Sequence, residues 1–276
     1  MANTIFVSGA TGTVGSEVIK QLIKKGASVR AGVHSEQKAG ILKKLGAEVV
    51  AVDLNNIKSI QTALTGVEKA FSLSPLVPNL AELGVNFVKA AKIAGVKYIV
   101  RASGLGADSP QAITLGKWHR EAEKAVETSG IPYTLVRPNS FMQNYVNFAG
   151  YTIKTQNAFY FPHGNGTISL IDVRDIAAVV ATVLTESGHE GKAYELTGSE
   201  AISNYQIAKI LSRLTGRAIN YVDMGTPESI VEALMELAAI IKAGYASAVS
   251  PAVKQITGKQ PISFEQFAKD YLQFFK

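Results

Sequence analysis

The sequence predicts an α/β protein with a doubly wound parallel sheet that carries helices on both faces. Through residue 137, six short β-branched and aromatic runs alternate with amphipathic helical patterns long enough to cross over between parallel strands. The first of these runs leads directly into a turn with three glycines, and a helix follows the turn. We therefore expect a Rossmann-type sheet, followed by a smaller α/β cap in the C-terminal half.

Each element of the first half rests on hydrophobic spacing, and a glycine closes most of the helices. The predicted strands are Thr4–Val7, Ser28–Val33, Glu48–Val52, Lys69–Leu73, Tyr98–Ala102 and Tyr133–Arg137. The predicted helices are Val14–Lys25, Gln37–Leu45, Ile57–Leu64, Leu80–Ala94 and Leu115–Thr128.

Beyond residue 138 the alternation gives way to a stretch rich in asparagine, glycine and aromatic residues. The elements expected after it are strands at Thr167–Ile171 and Ala193–Leu196 and helices at Val173–Thr185, Tyr205–Leu214, Pro227–Ile241 and Phe264–Phe275. No linker separates the halves. We expect residues 1–138 to bind a dinucleotide and residues 139–276 to bind substrate, the two packed as one continuous unit.

Composition excludes several classes of function. The 28 lysines and arginines give a net charge of +6 but form no dense basic run, so we expect no nucleic-acid partner. No apolar stretch long enough to span a membrane lacks a charge, so we expect no membrane span. Residues 1–3 show no basic region or cleavage pattern, so we expect no secretory signal. The chain has no cysteine, and its four histidines are far apart, so we expect no metal site. A cytoplasmic monomer or homodimer acting on a small molecule fits this composition.

The glycine turn reads VSGATGTVG from Val7 to Gly15. Glycine spacing alone does not separate a structural turn from a phosphate site. Its place between the first strand and the first helix favours the second, because backbone N–H groups and the helix dipole bind a pyrophosphate there.

Longer stretches resemble an NmrA-like member of the atypical short-chain dehydrogenase/reductase superfamily. These are the glycine turn, VRAGVHS, LGKWHREAEKAVETSGIPYTLVRPNSFMQN, ISLIDVRDIAAVVATVLTE and YELTGSEAISNYQIAKILSRLTGR. The resemblance covers nearly the whole chain and is to the branch that contains triphenylmethane reductase and NAD(P)H:quinone and azo reductases. It implies NADP(H), with NAD(H) as an alternative cofactor.

The end of the second strand sets the expected cofactor preference. It reads Val33-His34-Ser35, without the acidic residue that binds the 2′-hydroxyl of NAD. His34 stands where similar reductases carry arginine, and an imidazole helps a 2′-phosphate less than a guanidinium does. We therefore expect a weak preference for NADPH. Arg30 lies on the same strand face, where packing is the alternative role.

Further cofactor contacts are expected at the carboxyl ends of the other strands. Asp53 is expected to meet adenine, with capping of the next helix as the alternative. The expected cofactor contacts together are Gly9, Thr11, Gly12, Thr13, Val14, His34, Ser35, Asp53, Leu54, Ser74, Pro75, Leu76, Ser103, Gly104, His119 and Asn139.

The resemblance also exposes a missing tyrosine. Short-chain dehydrogenases use Tyr-x-x-x-Lys on the helix after the fifth strand, and the aligned positions here are Leu115 and His119. Without a phenol to relay a proton, carbonyl reduction is disfavoured, whereas acceptors whose reduced form is delocalised need the relay less. His119 and Ser103 are the candidate catalytic residues. The alternative for His119 is a helix histidine paired with Glu123.

Aromatic residues near the sixth strand are either core or substrate pocket. The candidate substrate contacts are Trp118, Phe141, Met142 and Tyr145. We therefore expect a reductase that transfers hydride from NAD(P)H to a planar, electron-poor acceptor such as a quinone, azo or triphenylmethane compound. The alternative is a non-catalytic NAD(P)-binding redox sensor of the same family.

Overall fold

The computed structural model describes residues 4–35, 39–225 and 232–276, which form two compact units. The first unit takes the described residues up to 112 together with 116–137 and 176–195, and the second takes 113–115, 138–175 and those from 196 on. Residues 176–195 thus return to the first unit after the chain has entered the second. The functional division at residue 138 stays a prediction.

The strands are β1 (Thr4–Val7), β2 (Ser28–Val33), β3 (Glu48–Ala51), β4 (Lys69–Ser72), β5 (Tyr98–Ala102), β6 (Tyr133–Pro138), β7 (Ala158–Phe161), β8 (Thr167–Ile168), β9 (Lys192–Leu196), β10 (Ile202–Ser203) and β11 (Asn220–Asp223). The helices are α1 (Thr13–Lys24), α2 (Gly40–Lys44), α3 (Ile57–Leu64), α4 (Leu80–Ala94), α5 (Thr114–Glu127), α6 (Asn144–Asn147), α7 (Gly150–Gln156), α8 (Val173–Thr185), α9 (Asn204–Thr215), α10 (Glu232–Lys242), α11 (Ala252–Thr257) and α12 (Phe264–Asp270).

The described strands form a seven-stranded sheet in the order β3-β2-β1-β4-β5-β6-β9. Strands β1 to β6 pair in parallel with their neighbours. From β1 the chain first fills one side of the sheet with β2 and β3, and then crosses to the other side for β4, β5 and β6. This reversal beside β1 is the point at which such sheets bind ligands, outside the carboxyl ends of the strands.

Packing within the first unit explains one glycine that has nothing to do with a ligand. A Cβ on Gly32 of β2 would lie 2.4 Å from Cζ of Phe6 on β1. The absent side chain leaves room for the fully buried Phe6, whose ring centroid lies 6.0 Å from that of Phe87 on α4. Phe6 and Phe87 belong to the core cluster that includes Ile60, Ile99 and residues of α4.

The second unit has its own apolar core. Tyr145 of α6 makes edge contacts with the rings of Phe159, Phe161 and Phe264. Two small sheets flank this core, one of β7 with β11 and one of β8 with β10. Ser203 caps the start of helix α9, and its hydroxyl accepts from the N–H of Gln206 in a capping box.

The six strands predicted for the first half are confirmed to within one residue at each end, and the doubly wound fold is confirmed. The predicted start of the second helix falls at residues 37–38, outside the described residues, as does the predicted start of the helix at Pro227. The strand predicted at Ala193–Leu196 for the cap is β9 of the large sheet, so that part of the prediction is wrong. The sequence pattern also missed β7 and β11. No helix among the described residues is long and apolar enough to cross a membrane.

Candidate functional site

The turn between β1 and α1 places glycine backbone at the carboxyl end of the central strand. Gly9 has a φ of +60°, which favours glycine, and its carbonyl accepts from the N–H of Gly12 at 2.9 Å. A Cβ on Gly15 would lie 2.2 Å from that same carbonyl oxygen. Gly9 and Gly15 are therefore required by the folding of the turn itself.

Gly12 is a different case. Its φ of −81° and ψ of 171° suit any residue, and a Cβ there would meet the Gly9 oxygen at 3.2 Å, which is tight but short of a clash. Gly12 is also exposed. Local folding therefore demands little of Gly12, and close approach of a ligand to the backbone is the remaining reason for a glycine.

The start of α1 is open to an anion. No described side chain caps this end, and its first turn holds no acidic residue. Gly9, Thr11, Gly12 and Thr13 are exposed, while Val14 is buried and offers only its backbone. Uncapped N–H groups at the positive end of a helix dipole bind phosphate. These residues fit the pyrophosphate of a dinucleotide.

A buried serine, which the sequence analysis missed, fixes the turn to β4. The Ser8 hydroxyl donates to the carbonyl of Leu73 at 2.8 Å and accepts from the Leu73 N–H at 2.7 Å. Ser8 is fully buried. The glycine turn and the segment after β4 are thereby held together as one rigid edge.

The ends of β2 and β3 lie exposed beside each other in the sheet. His34 and Ser35 follow β2, and Asp53 follows β3. Hydrogen bonds from the backbone and side chain of Asn55 hold the pKa of Asp53 below its usual value, and the charge of His34 adds to the effect. His34 is therefore close enough to Asp53 for their charges to interact.

Two alternatives at this edge are settled by the contacts. The cap of α3 is Asn56, whose Oδ1 accepts from the N–H of Ser59 at 3.1 Å, so capping by Asp53 is wrong. Leu54 packs against the core of the first unit. Arg30 pairs with Glu48 at 2.8 Å and donates to two backbone carbonyls, so its role is structural.

A buried arginine connects the ends of β4 and β5, and the sequence analysis missed it. Arg101 is 1% exposed, and its Nη1 donates to the hydroxyls of Ser74 at 2.9 Å and Ser72 at 3.2 Å. Ser74 is thus committed as an acceptor, whereas Pro75 and Leu76 after it are exposed. The signal in the sequence was a charge inside the otherwise apolar run YIVRA.

Ser103, Gly104 and His119 come together just beyond β5. A Cβ on Gly104 would lie 3.2 Å from Cδ2 of the His119 ring, so glycine admits the imidazole. Ser103 Oγ and His119 Nδ1 are buried without a hydrogen-bond partner among the described residues. Burial, reinforced by the charge of Arg101, lowers the pKa of His119 to about 4. His119 is therefore neutral at physiological pH and suits hydrogen bonding better than proton donation.

The alternative pairing of His119 with Glu123 is wrong. Arg137 binds both oxygens of the fully buried Glu123, at 2.8 and 2.9 Å, and Arg120 donates to one of them at 2.9 Å. Although burial raises it, the pKa of Glu123 is held below its usual value chiefly by Arg137. The Ser103 hydroxyl lies near enough to contribute, although its Oγ has no partner of ordinary hydrogen-bond geometry in the described part of the chain. This cluster fixes α5 to β6.

Three of the predicted contacts belong to the interior of the second unit. Asn139 is 7% exposed, and its amide donates to Ser169 Oγ at 2.8 Å and to the Ala246 carbonyl at 2.9 Å. Met142 and Tyr145 are 1% and 2% exposed and lie in the apolar core. Their burial removes these three from the candidate ligand contacts, because their polar groups and surfaces are already used by the fold.

Trp118, on α5, and Phe141, in the second unit, are each partly exposed and stay candidates for substrate contact. Leu115 on α5 supplies no phenol. Among the described residues, no histidine and acidic side chains group in a way that would hold a metal ion.

Known proteins resemble this chain over its whole length. NAD(P)H azoreductase of Xenophilus azovorans is 38% identical over 283 residues, which is 98% of this chain and 99% of that protein. Solved structures of Citrobacter sp. triphenylmethane reductase and of Escherichia coli NADPH-dependent quinone oxidoreductase complexed with NADPH each superpose with a TM-score of 0.87 at 30% identity. Each match covers 98% of this chain and 99% of the other. The model of the NmrA-like family matches residues 1–257, and the chain belongs to that family.

Proposed function

We propose that this protein is an NAD(P)H-dependent oxidoreductase that transfers hydride to a planar, electron-poor organic acceptor of the quinone, azo or triphenylmethane type. The observation that carries the proposal is the uncapped, exposed start of α1 at the reversal point of the sheet, with Gly12 free of any strict folding requirement. The similar proteins that share 30% identity or more include reductases of such acceptors. They favour a reductase over a redox sensor.

The cofactor contacts follow from which groups the fold leaves free. The backbone N–H groups of Thr11, Thr13 and Val14 bind the pyrophosphate, whereas the N–H of Gly12 already donates to the Gly9 carbonyl. The exposed His34 and Ser35 meet the adenosine ribose or its 2′-phosphate. Asp53 reaches the adenine. Leu76 and Gly104 border the nicotinamide half, because they follow β4 and β5.

The bound cofactor supplies the hydride, and the chain supplies binding, orientation and hydrogen bonds. The neutral His119 and the hydroxyl of Ser103 hold the nicotinamide end in place, because each presents a buried polar atom that makes no hydrogen bond to the described residues. The phenol that relays a proton in short-chain dehydrogenases is missing from α5, because Leu115 stands at its position. Acceptors that delocalise the added electron pair are therefore turned over, and simple aldehydes and ketones are not.

The test is an anaerobic assay of NADPH oxidation with quinones, azo dyes, triphenylmethane dyes and simple aldehydes. We expect oxidation to depend on the planar acceptors and to be negligible with aldehydes. Leu115→Ala should leave turnover nearly unchanged, whereas His119→Ala should lower it by about ten- to a hundredfold through lost orientation. Oxidation by none of the planar acceptors would refute the proposal. A location in the cytoplasm, a monomer or homodimer, and the absence of a nucleic-acid partner stay predictions.

A further inference from the structure

A buried positive charge lies between the ends of β4 and β5. Arg101 is 1% exposed, and the oxygens that accept from it are neutral: the hydroxyls of Ser72 and Ser74 and the backbone carbonyl of Ser72. Its Nε and Nη2 are buried without an acceptor among the described residues. A strand this well buried ordinarily holds an apolar residue, so the charge needs a reason.

The charge persists and is not neutralised by direct contact. Burial lowers the pKa of Arg101 to about 10, which still leaves it protonated at neutral pH. No carboxylate of the described residues forms an ion pair with it. Glu123 interacts with it only through space, and both oxygens of Glu123 are bound by Arg137, with Arg120 as a further partner.

Topology places this charge in one half of the sheet. A dinucleotide lies across the reversal point of such a sheet, with one nucleotide on each side. The adenine side here is β1 to β3, where the glycine turn, His34 and Asp53 lie, so the nicotinamide side is β4 to β6. Arg101 acts at that side, since it reaches Ser74 after β4 and its charge also affects His119.

We propose that Arg101 biases the cofactor site toward the reduced dinucleotide. The proposal rests on the proposed function, because it requires NAD(P) at this edge. The nicotinamide ring is positively charged when oxidised and neutral when reduced, so a fixed positive charge disfavours only the oxidised form. At an effective dielectric of about 20, a fixed charge about 10 Å from the ring would change the relative affinity on the order of tenfold.

Two consequences follow for a reductase. Oxidised cofactor leaves more readily after hydride transfer, which frees the site for the next NADPH. The bound couple also has a reduction potential raised by about 30 mV for each tenfold bias. Arg101 does this without touching the acceptor, so it sets cofactor preference and is not a catalytic residue.

The experiment measures dissociation constants for NADPH and NADP⁺ separately, by calorimetry or by quenching of protein fluorescence, with no acceptor present. Four proteins are compared: the wild type, Arg101→Met, Arg101→Lys and Arg30→Met. Arg30 is the matched control, because it is an arginine of the same sheet whose charge is paired with Glu48. Far-UV circular dichroism confirms folding, and Arg101→Gln replaces Arg101→Met if the latter does not fold.

We expect the wild type to bind NADPH about tenfold more tightly than NADP⁺, and Arg101→Met to lose most of that preference through tighter NADP⁺ binding. Arg101→Lys and Arg30→Met should keep it. Equal affinities in the wild type, or an unchanged ratio in the charge-removing variant, would overturn the inference while leaving the proposed function standing. Failure of the wild type to bind either nucleotide would overturn both.

Discussion

Substituting Gly12 by aspartate should separate folding from cofactor binding. Gly12 is the N-cap of α1, with backbone angles that aspartate adopts freely, and its Cβ would approach the Gly9 oxygen at 3.2 Å. An aspartate N-cap accepts from the N–H groups of the first turn and is favoured over glycine by a few tenths of a kcal/mol. This gain roughly offsets the energetic cost of the tight contact. We therefore expect the free energy of unfolding of Gly12→Asp to differ from that of the wild type by less than about 1 kcal/mol.

Cofactor binding, unlike stability, should weaken strongly in Gly12→Asp. The new carboxylate would occupy N–H groups that the pyrophosphate needs, and it would repel the two negative charges of a pyrophosphate bound roughly 5 Å away. At an effective dielectric between those of protein and water, this repulsion amounts to about 2 to 4 kcal/mol, or a loss of about thirty- to a thousandfold in affinity. Titration of NADPH fluorescence measures the loss, and thermal denaturation without cofactor measures the stability.

Two control variants identify the cause. Gly12→Asn has the same shape and capping ability without the charge, so it should lose about tenfold or less. Gly40→Asp puts the same new charge at the exposed start of α2, where a Cβ meets no described atom within 4 Å, and should bind NADPH normally. Wild-type affinity in a folded Gly12→Asp protein would contradict the placement of the pyrophosphate.

Three further predictions follow from the other contacts. His34 is exposed at the expected site of the 2′-phosphate, so His34→Arg should raise the preference for NADPH over NADH by about 1 to 3 kcal/mol. The ratio of the two dissociation constants measures this preference, and an unchanged ratio would place the phosphate elsewhere. His119 has a pKa lowered to about 4, so the unfolded chain binds the extra proton first and stability falls as the pH drops from about 6.5 toward 4. Urea denaturation at pH 7.5 and 5 measures this effect. Between these two pH values the free energy of unfolding should fall less in His119→Asn than in the wild type. Asp175 is buried and its pKa is raised to about 6, so its native state loses stability as the pH rises from about 4 to 6; Asp175→Asn should be more stable by about 1 to 3 kcal/mol at pH 7.5 and nearly unchanged at pH 4.

The strands and helices of the first half were largely predictable, because each has its own local hydrophobic periodicity. Each of the first six strands is a short apolar run between turn signals, and each intervening helix shows a buried face, which fixes existence and approximate bounds. The place of β9 beside β6 depends on tertiary pairing, and most residues of β9 are not fully buried, so no local signal marked it as part of the large sheet.

The candidate site was predictable where backbone geometry decides and much less so where side chains pack. The glycine turn follows from its neighbours in the chain. An aromatic or apolar residue after a strand reads alike in a pocket and in a core, and Met142 and Tyr145 proved to be core. Asn139 is similar, since only the fold shows that Ser169 and Ala246 already use its amide. Arg101 was missed because its role depends on the neutral groups that surround the guanidinium in the fold, and these neighbours are not apparent from the sequence.

The central claim is direct hydride transfer from the bound cofactor to a planar acceptor, and isotopic labelling tests it most directly. A cationic triphenylmethane dye is the suitable acceptor, because the transferred hydrogen stays on its central carbon and does not exchange with water. In an anaerobic single turnover with NADPH deuterated at the transferred C4 position, we expect the dye to lose its colour and the leuco product to carry one deuterium. The rate should fall with the deuterated cofactor if transfer limits it. A colourless product without deuterium, or no loss of colour although NADPH is bound, would contradict the claim.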